Sequence, residues 1–255
     1  MDGSDALATA LGVTPFGYEP LRISENLAAM VMRTDKSLQE YLRIHLKVPL
    51  VADIKQLSSV FDFVADAAPG VKEVLAVGKV CWEVKQDNYD IVIVDAEATG
   101  HVVAQIASPR TINSLVPRGP LRDQTGWMLD ILDDPARCGV MVVSTPEELP
   151  VTESLELVDR LRTGTRTALA AFVLNMLEPA PDAAAVELAA DPWFAAVAPS
   201  HTESVRVAES IHRAQSEASA PLVSTGLPVV SLPACDGDAA AVSSVLAPVF
   251  VKAAP

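Results

Sequence analysis

The feature that most constrains this chain is a rhythm, in which short aliphatic runs, mostly β-branched, recur between stretches of helical periodicity. The runs are Ile91–Val94, Val140–Val143, Ala168–Leu174 and Val229–Leu232, each bounded by turn or polar residues. Runs of this kind read as strands buried on both faces, the pattern of a parallel sheet. Between them, Val71, Val74, Leu75, Gly78 and Trp82 fall on one face of a helix expected to start after Pro69-Gly70 and to end near Asn88. Leu155, Val158 and Leu161 do the same for a second helix, with Thr152 as its expected cap and Glu153 in its first turn. Strand, helix, strand, helix predicts an α/β fold, an open doubly wound and mostly parallel sheet with right-handed crossovers.

Two stretches interrupt the rhythm. Residues 105–136 are too long for an ordinary connection and predict a partly helical insertion able to act as a switch or lid. Residues 178–222, rich in Ala and Glu and punctuated by Pro179, Pro181, Pro192 and Pro199, predict two or three helices. Helices are also expected at Ser37–His45 and Asp53–Ala65, and no linker divides the chain, so residues 1–255 are read as a single domain.

Composition narrows the function classes. With 255 residues and 50% apolar content there is ample material for one core. The formal charge of −14 opposes broad binding to nucleic acid or anionic lipid, both polyanions. No run of 18 or more uncharged apolar residues occurs and no basic leader opens the sequence, so a soluble, cytoplasmic protein without stable membrane insertion is expected. Cys81, Cys138 and Cys235 form no CxxC pair, and His45, His101, His201 and His212 show no metal-binding spacing, so neither a disulfide framework nor a structural zinc is expected.

The most informative segment, residues 89–101, reads YDIVIVDAEATGH. A strand ending in Asp95 sets a carboxylate at the carboxyl edge of the sheet, where doubly wound folds bind ligands. In a nucleotide hydrolase such a group orients Mg²⁺ or its water shell, and a following glycine can approach the γ-phosphate closely.

This segment resembles the strand-end motif DTAPTGH of the ATPase family of arsenite pumps and tail-anchored-protein-targeting factors. Asp95, Thr99, Gly100 and His101 match, whereas Ala96, Glu97 and Ala98 depart from it, Glu97 adding negative charge near the expected phosphate site. Residues 145–161, TPEELPVTESLELVDRL, are similar to the family's stretch between a central strand and its next helix. Phe172–Asn175 resembles the strand ending in the asparagine that contacts adenine, and Leu227–Pro233 the last strand and its loop. At the start, Asp2–Leu11 aligns without gaps onto the family's first switch, DPAHSLSDAF.

The resemblance implies a P-loop NTPase fold of the deviant Walker A type, with ATP and Mg²⁺ as ligands. It implies that Asp2 orients the attacking water, Asp95 holds Mg²⁺ through water, Gly100 senses the γ-phosphate and Asn175 contacts adenine. It further implies a dimer, either a homodimer or a heterodimer with a complete paralogue, that opens and closes on a protein client. Arg110, Arg118 and Arg122, in the region that changes conformation with nucleotide, are candidates to reach phosphate or a partner subunit. Trp127, Met128, Leu129, Ile131 and Leu132 form either a client face or, the simpler expectation, ordinary core.

One part of the family pattern is missing. Neither GxxxxGK followed by Ser or Thr nor the family's KGGVGK occurs in the sequence, and Gly78-Lys79 sits inside an apolar helix pattern. In the family a first strand, this phosphate-binding loop, a helix and a second strand precede the switch, a unit on the order of 35–45 residues. Two explanations stand: Met1 is an internal methionine of a longer protein, the favoured one because Asp2 is retained, or the chain is a degenerate, non-catalytic paralogue. On either, the chain alone is expected not to hydrolyse ATP, and apolar edges are expected to be exposed beside the missing strands.

Overall fold

The computed structural model describes residues 3–34, 36–37, 40, 70–96 and 99–253. The expected helix at Asp53–Ala65, most of the one at Ser37–His45, and Asp2 lie outside the described residues. Two compact units emerge, one within Met1–Gly139 with Arg160–Ala168, the other within Val140–Asp159 with Leu169–Pro255.

The first unit is mainly helical. It opens with α1 (Gly3–Ala10), followed by a short antiparallel pair, β1 (Leu21–Arg22) and β2 (Ala28–Ala29), in which Leu21 faces Ala29. The periodic segment after Gly70 forms α2 (Val71–Lys85), as its spacing predicts. Gly70 enters the helix at φ 96°, a left-handed conformation that glycine adopts without a Cβ penalty. Next come α3 (Thr99–Leu115) and α4 (Pro120–Leu132), the latter led by Gly119 and a proline whose fixed φ suits the first helical position. Residues 105–136 are thus helical for most of their length.

The three helices close on one apolar cluster of Val74, Cys81, Ile112, Met128, Ile131 and Leu132, with Trp127 and Cys138 packed against it. The apolar face of α4 is therefore core, not a free client surface. At Gly78 a Cβ would lie 2.8 Å from Cε of Met128, so the missing side chain is what lets α2 and α4 approach. Trp82 meets Trp127 edge-on with centroids 6.5 Å apart, and Lys85 lies over the Trp127 ring at 4.4 Å.

The second unit holds a three-stranded sheet in the order β3 (Gly139–Ser144), β4 (Ala168–Leu177), β5 (Val229–Pro233). These strands contain three of the four aliphatic runs. β4 and β5 run parallel, Phe172 opposite Val229 and Leu174 opposite Ser231. Between β3 and β4 lies α5 (Glu148–Gly164). This helix starts four residues before the expected cap: Thr152 sits inside it, its hydroxyl donating to the Glu148 carbonyl at 2.8 Å. Between β4 and β5, residues 178–222 form α6 (Ala183–Ala190), α7 (Pro192–Val197) and α8 (Pro199–Ser219), and α9 (Ala239–Ala253) follows β5. Asp182 and Asp191 cap α6 and α7, each accepting two backbone N–H groups through one carboxylate oxygen.

The fourth run departs from expectation. Ile91–Val94 belongs to neither sheet, and Ile91 and Ile93 are 78% and 86% exposed. A strand exists only as a member of a ladder, and a run apolar on both faces also needs cover on both; here it has no ladder partner among the described residues. The α/β class holds, with a parallel pair and helical crossovers, but the Asp95 segment is not one of its strands.

Candidate functional site

The chain leaves α2 through a tight exit. Gln86 donates its backbone N–H to Trp82 at 3.0 Å, and Asp87 follows at φ 52°, a left-handed conformation that an Asp tolerates better than most residues. Next comes Asn88, whose side-chain amide donates to Oε2 of Glu83 at 2.7 Å. The exposed run then leads to Asp95, itself exposed. Five residues on, Gly100 lies in the first turn of α3, where a Cβ would meet nothing within 4 Å. Helix N–H groups at such a turn have no intrahelical acceptor and favour anions.

Asp95 and Gly100 belong to the first unit and Asn175 to the second. Asn175 is half-buried near the end of β4, where the register with β5 shifts between Leu174 and Leu177 and Met176 takes φ 61°. A bulge with a left-handed non-glycine residue re-aims the side chains around it and costs on the order of 1–2 kcal/mol. Asp2, the expected water-orienting residue, is outside the described residues.

Two of the three candidate arginines are engaged within the first unit. Arg110 bonds and ion-pairs with Asp133. Arg122 donates to the carbonyls of Asn113 at 2.8 Å and Val116 at 3.2 Å, closing the C-terminal end of α3 where carbonyls lack helix partners. Arg118 is exposed on the turn between α3 and α4, and His101 is exposed in α3.

A feature with weaker sequence signal sits on α2. Lys79 and Glu83 are buried and paired at 2.6 Å, and Lys79 also reaches Glu40 at 2.9 Å. Tyr18 donates its hydroxyl to Glu40 and places its ring 5.2 Å from the Lys79 ammonium. Burial opposes the Lys79 charge, but hydrogen bonds to Glu83 and Glu40 outweigh it and hold the ammonium above its ordinary range. The Tyr18 hydroxyl is pushed up to about 12, first by burial and then by its bond to Glu40. The available signal was a Lys–Glu pair at i,i+4 inside an apolar face, where charges survive only in pairs. Nearby, burial followed by the neighbouring Cys138 pushes the Cys81 thiol up to about 12, so it is an inert core thiol.

The donor set falls short of a nucleotide site. Mg²⁺ in such enzymes is held by one or two carboxylates together with substrate phosphates, and Asp95 could supply one carboxylate through water. Among the described residues no three His, Cys, Asp or Glu side chains converge on a metal position. Nor does the sequence contain the lysine-bearing glycine loop that cradles phosphates. These residues by themselves do not fit ATP with Mg²⁺.

Among the described residues no helix is long and apolar enough to cross a membrane. The sequence pattern of the family described as anion-transporting ATPase matches residues 2–119. ATPase BagA of Mycobacterium tuberculosis is 24% identical over 172 residues, covering 63% of this chain and 50% of the relative. ATPase get3 of Schizosaccharomyces japonicus is 33% identical over 138 residues, 50% of this chain and 41% of the relative. A putative arsenical pump-driving ATPase of Halobacterium salinarum is 24% identical over 181 residues, 63% of this chain and 28% of the relative. The chain thus spans half or less of the length of these relatives. Residues 2–119 are thus similar to the anion-transporting ATPase family, and half or more of the chain is similar to relatives that include Get3 and arsenical pump-driving ATPases.

Proposed function

We propose that these 255 residues are the switch-bearing and adenine-side part of a Mg²⁺-dependent ATP hydrolase whose cycle opens and closes a dimer on a protein client. In this reading Asp2 orients the attacking water, Asp95 holds the metal's water shell, Gly100 follows the γ-phosphate and Asn175 contacts adenine. The observation that supports it is the family match over residues 2–119, a span that includes Asp2, Asp95 and Gly100. This reading requires a phosphate loop that these residues do not themselves supply. In-frame translation of the DNA upstream of Met1 tests this: it should encode a strand, a glycine-rich lysine loop and a helix, and an immediate stop codon would turn the reading toward a non-catalytic subunit.

The biochemical counterpart has two arms. The 255-residue chain, titrated with a fluorescent ATP analogue and Mg²⁺, should show no saturable binding in the micromolar range; micromolar affinity would sink the need for an outside loop. In the extended protein, Asp2→Asn should lower kcat by about 10²–10⁴, the usual share of a group handling the reacting water. Asn175→Ala should instead raise KM for ATP about tenfold with kcat little changed, because adenine contacts act equally in ground and transition states.

A further inference from the structure

An unbroken series of polar contacts runs through the first unit. At one end the Val31 amide donates to the Gly17 carbonyl at 2.8 Å, and Tyr18 follows Gly17 in sequence. The Tyr18 hydroxyl donates to Glu40, whose carboxylate accepts from Lys79 at 2.9–3.0 Å. Lys79 donates to Oε1 of Glu83 at 2.6 Å, which leaves Oε2 of the same carboxylate to accept the Asn88 amide at 2.7 Å. Asn88 lies at the exit of α2, seven residues before Asp95.

The middle of this series is buried, with Lys79 and Glu83 each below a tenth exposed. A buried cation shared by two carboxylates has no comfortable half-broken arrangement, because losing one partner leaves charge uncompensated in a poorly solvated place. Such a cluster is made or unmade as a whole, the property a coupling element needs.

We propose that the Tyr18–Glu40–Lys79–Glu83–Asn88 network is a two-ended coupling device, linking the order of the 17–31 segment to that of the turn where the chain leaves α2 for Asp95. Coupling of this kind is reciprocal: whatever loosens one end loosens the other by a comparable factor. Its relevance to nucleotide rests on the proposed role of Asp95, but its test needs no nucleotide, so the two can fail separately.

The test is residue-resolved amide hydrogen exchange on the full chain carrying Tyr18→Phe or Asn88→Ala, each a mild change at one end. The far-end reporters are the Val31 amide, bonded to Gly17, and the Gln86 and Asp87 amides, bonded to Trp82 and Val84. Tyr18→Phe should speed exchange at Gln86 and Asp87 about three- to tenfold, and Asn88→Ala should do the same at Val31, with β4 amides unchanged. Acceleration confined to the mutated end overturns the proposal. So does an equal acceleration in β4, which would mean general loosening. As a control within the network, Glu83→Gln keeps an acceptor for Asn88 but removes the charge that binds Lys79. It should therefore abolish the far-end response to either end variant; persistence of that response also overturns the proposal.

Discussion

Ile91–Val94 and Ala168–Leu174 look alike in sequence: both are aliphatic, both are followed by a polar side chain of functional interest, and both read as buried strands. Their surroundings differ completely. In β4, Phe172, Val173 and Leu174 are 0–4% exposed, with a neighbouring strand on each side. In the other run Ile91, Ile93 and Val94 are 55–86% exposed, without a ladder partner among the described residues. An apolar run states a demand for cover, and whether the demand is met depends on other parts of the chain. The edge strand β3 is intermediate: Val142 and Ser144 are buried while Met141 and Val143 are exposed.

The sharpest way to break this comparison is to truncate one side chain in each run. Phe172→Ala should destabilise by about 3–5 kcal/mol, the usual cost of removing a fully buried aromatic ring and leaving a cavity. Ile93→Ser should stay within about 0.5 kcal/mol, as surface changes do, since little of its apolar area is removed from water. Urea midpoints at constant slope measure both. A loss above about 2 kcal/mol for Ile93→Ser would mean the run is covered in solution, by a second copy or by another segment.

What could be read in advance follows the same division. The runs of β3, β4 and β5 and the face of α2 were legible because pattern and local partner agree over many residues. The start of α5 was misjudged because Thr152 followed by Glu153 imitates a cap, while the helix already runs from Glu148. Asp95, Gly100 and Asn175 are singled out by resemblance alone; periodicity supplies only a carboxylate after an aliphatic run. Of the Lys79 network only the i,i+4 pair with Glu83 carries a local signal; Glu40 and Lys79 lie 39 residues apart, and nothing local pairs them. Met176 carries no signal for a left-handed backbone, which Gly or Asn would have given.

Alkaline titration should separate the two regions next. The groups with raised pKa values, Tyr18, Lys79, Cys81 and Cys138, all belong to the first unit. For each, the folded state holds its proton more tightly than the unfolded chain does. The resulting stabilisation is fully present below the unfolded pKa and is lost as pH rises toward the folded one. Cys81 opens the window near pH 9, the contributions of Cys81 and Tyr18 are lost by about 12, and Lys79 holds its proton beyond that. Stability from urea melts should therefore hold steady up to about pH 9 and fall beyond it, and exchange in α2 should accelerate before exchange in β4. Cys81→Ala should flatten the early part of the fall. A profile flat through pH 11 would contradict the burial of these groups.

The smallest expected effect probes the better-covered run at its one irregular point. β4 is paired and buried up to Leu174, yet Met176 sits at φ 61° and is more than half exposed, so its side chain gains little from the position while its backbone is strained. Glycine adopts that conformation without a Cβ penalty but enlarges the unfolded ensemble, so relief of about 1–2 kcal/mol is partly cancelled by about 0.5–1 kcal/mol of entropy. Met176→Gly should thus stabilise by about 0.5–1 kcal/mol, read as a shift in urea midpoint at unchanged slope. If the strained bulge also sets the direction of Asn175, the same change should weaken the adenine contact proposed for that residue while making the fold firmer. Destabilisation instead would mean that the methionine side chain contributes packing that its exposure conceals.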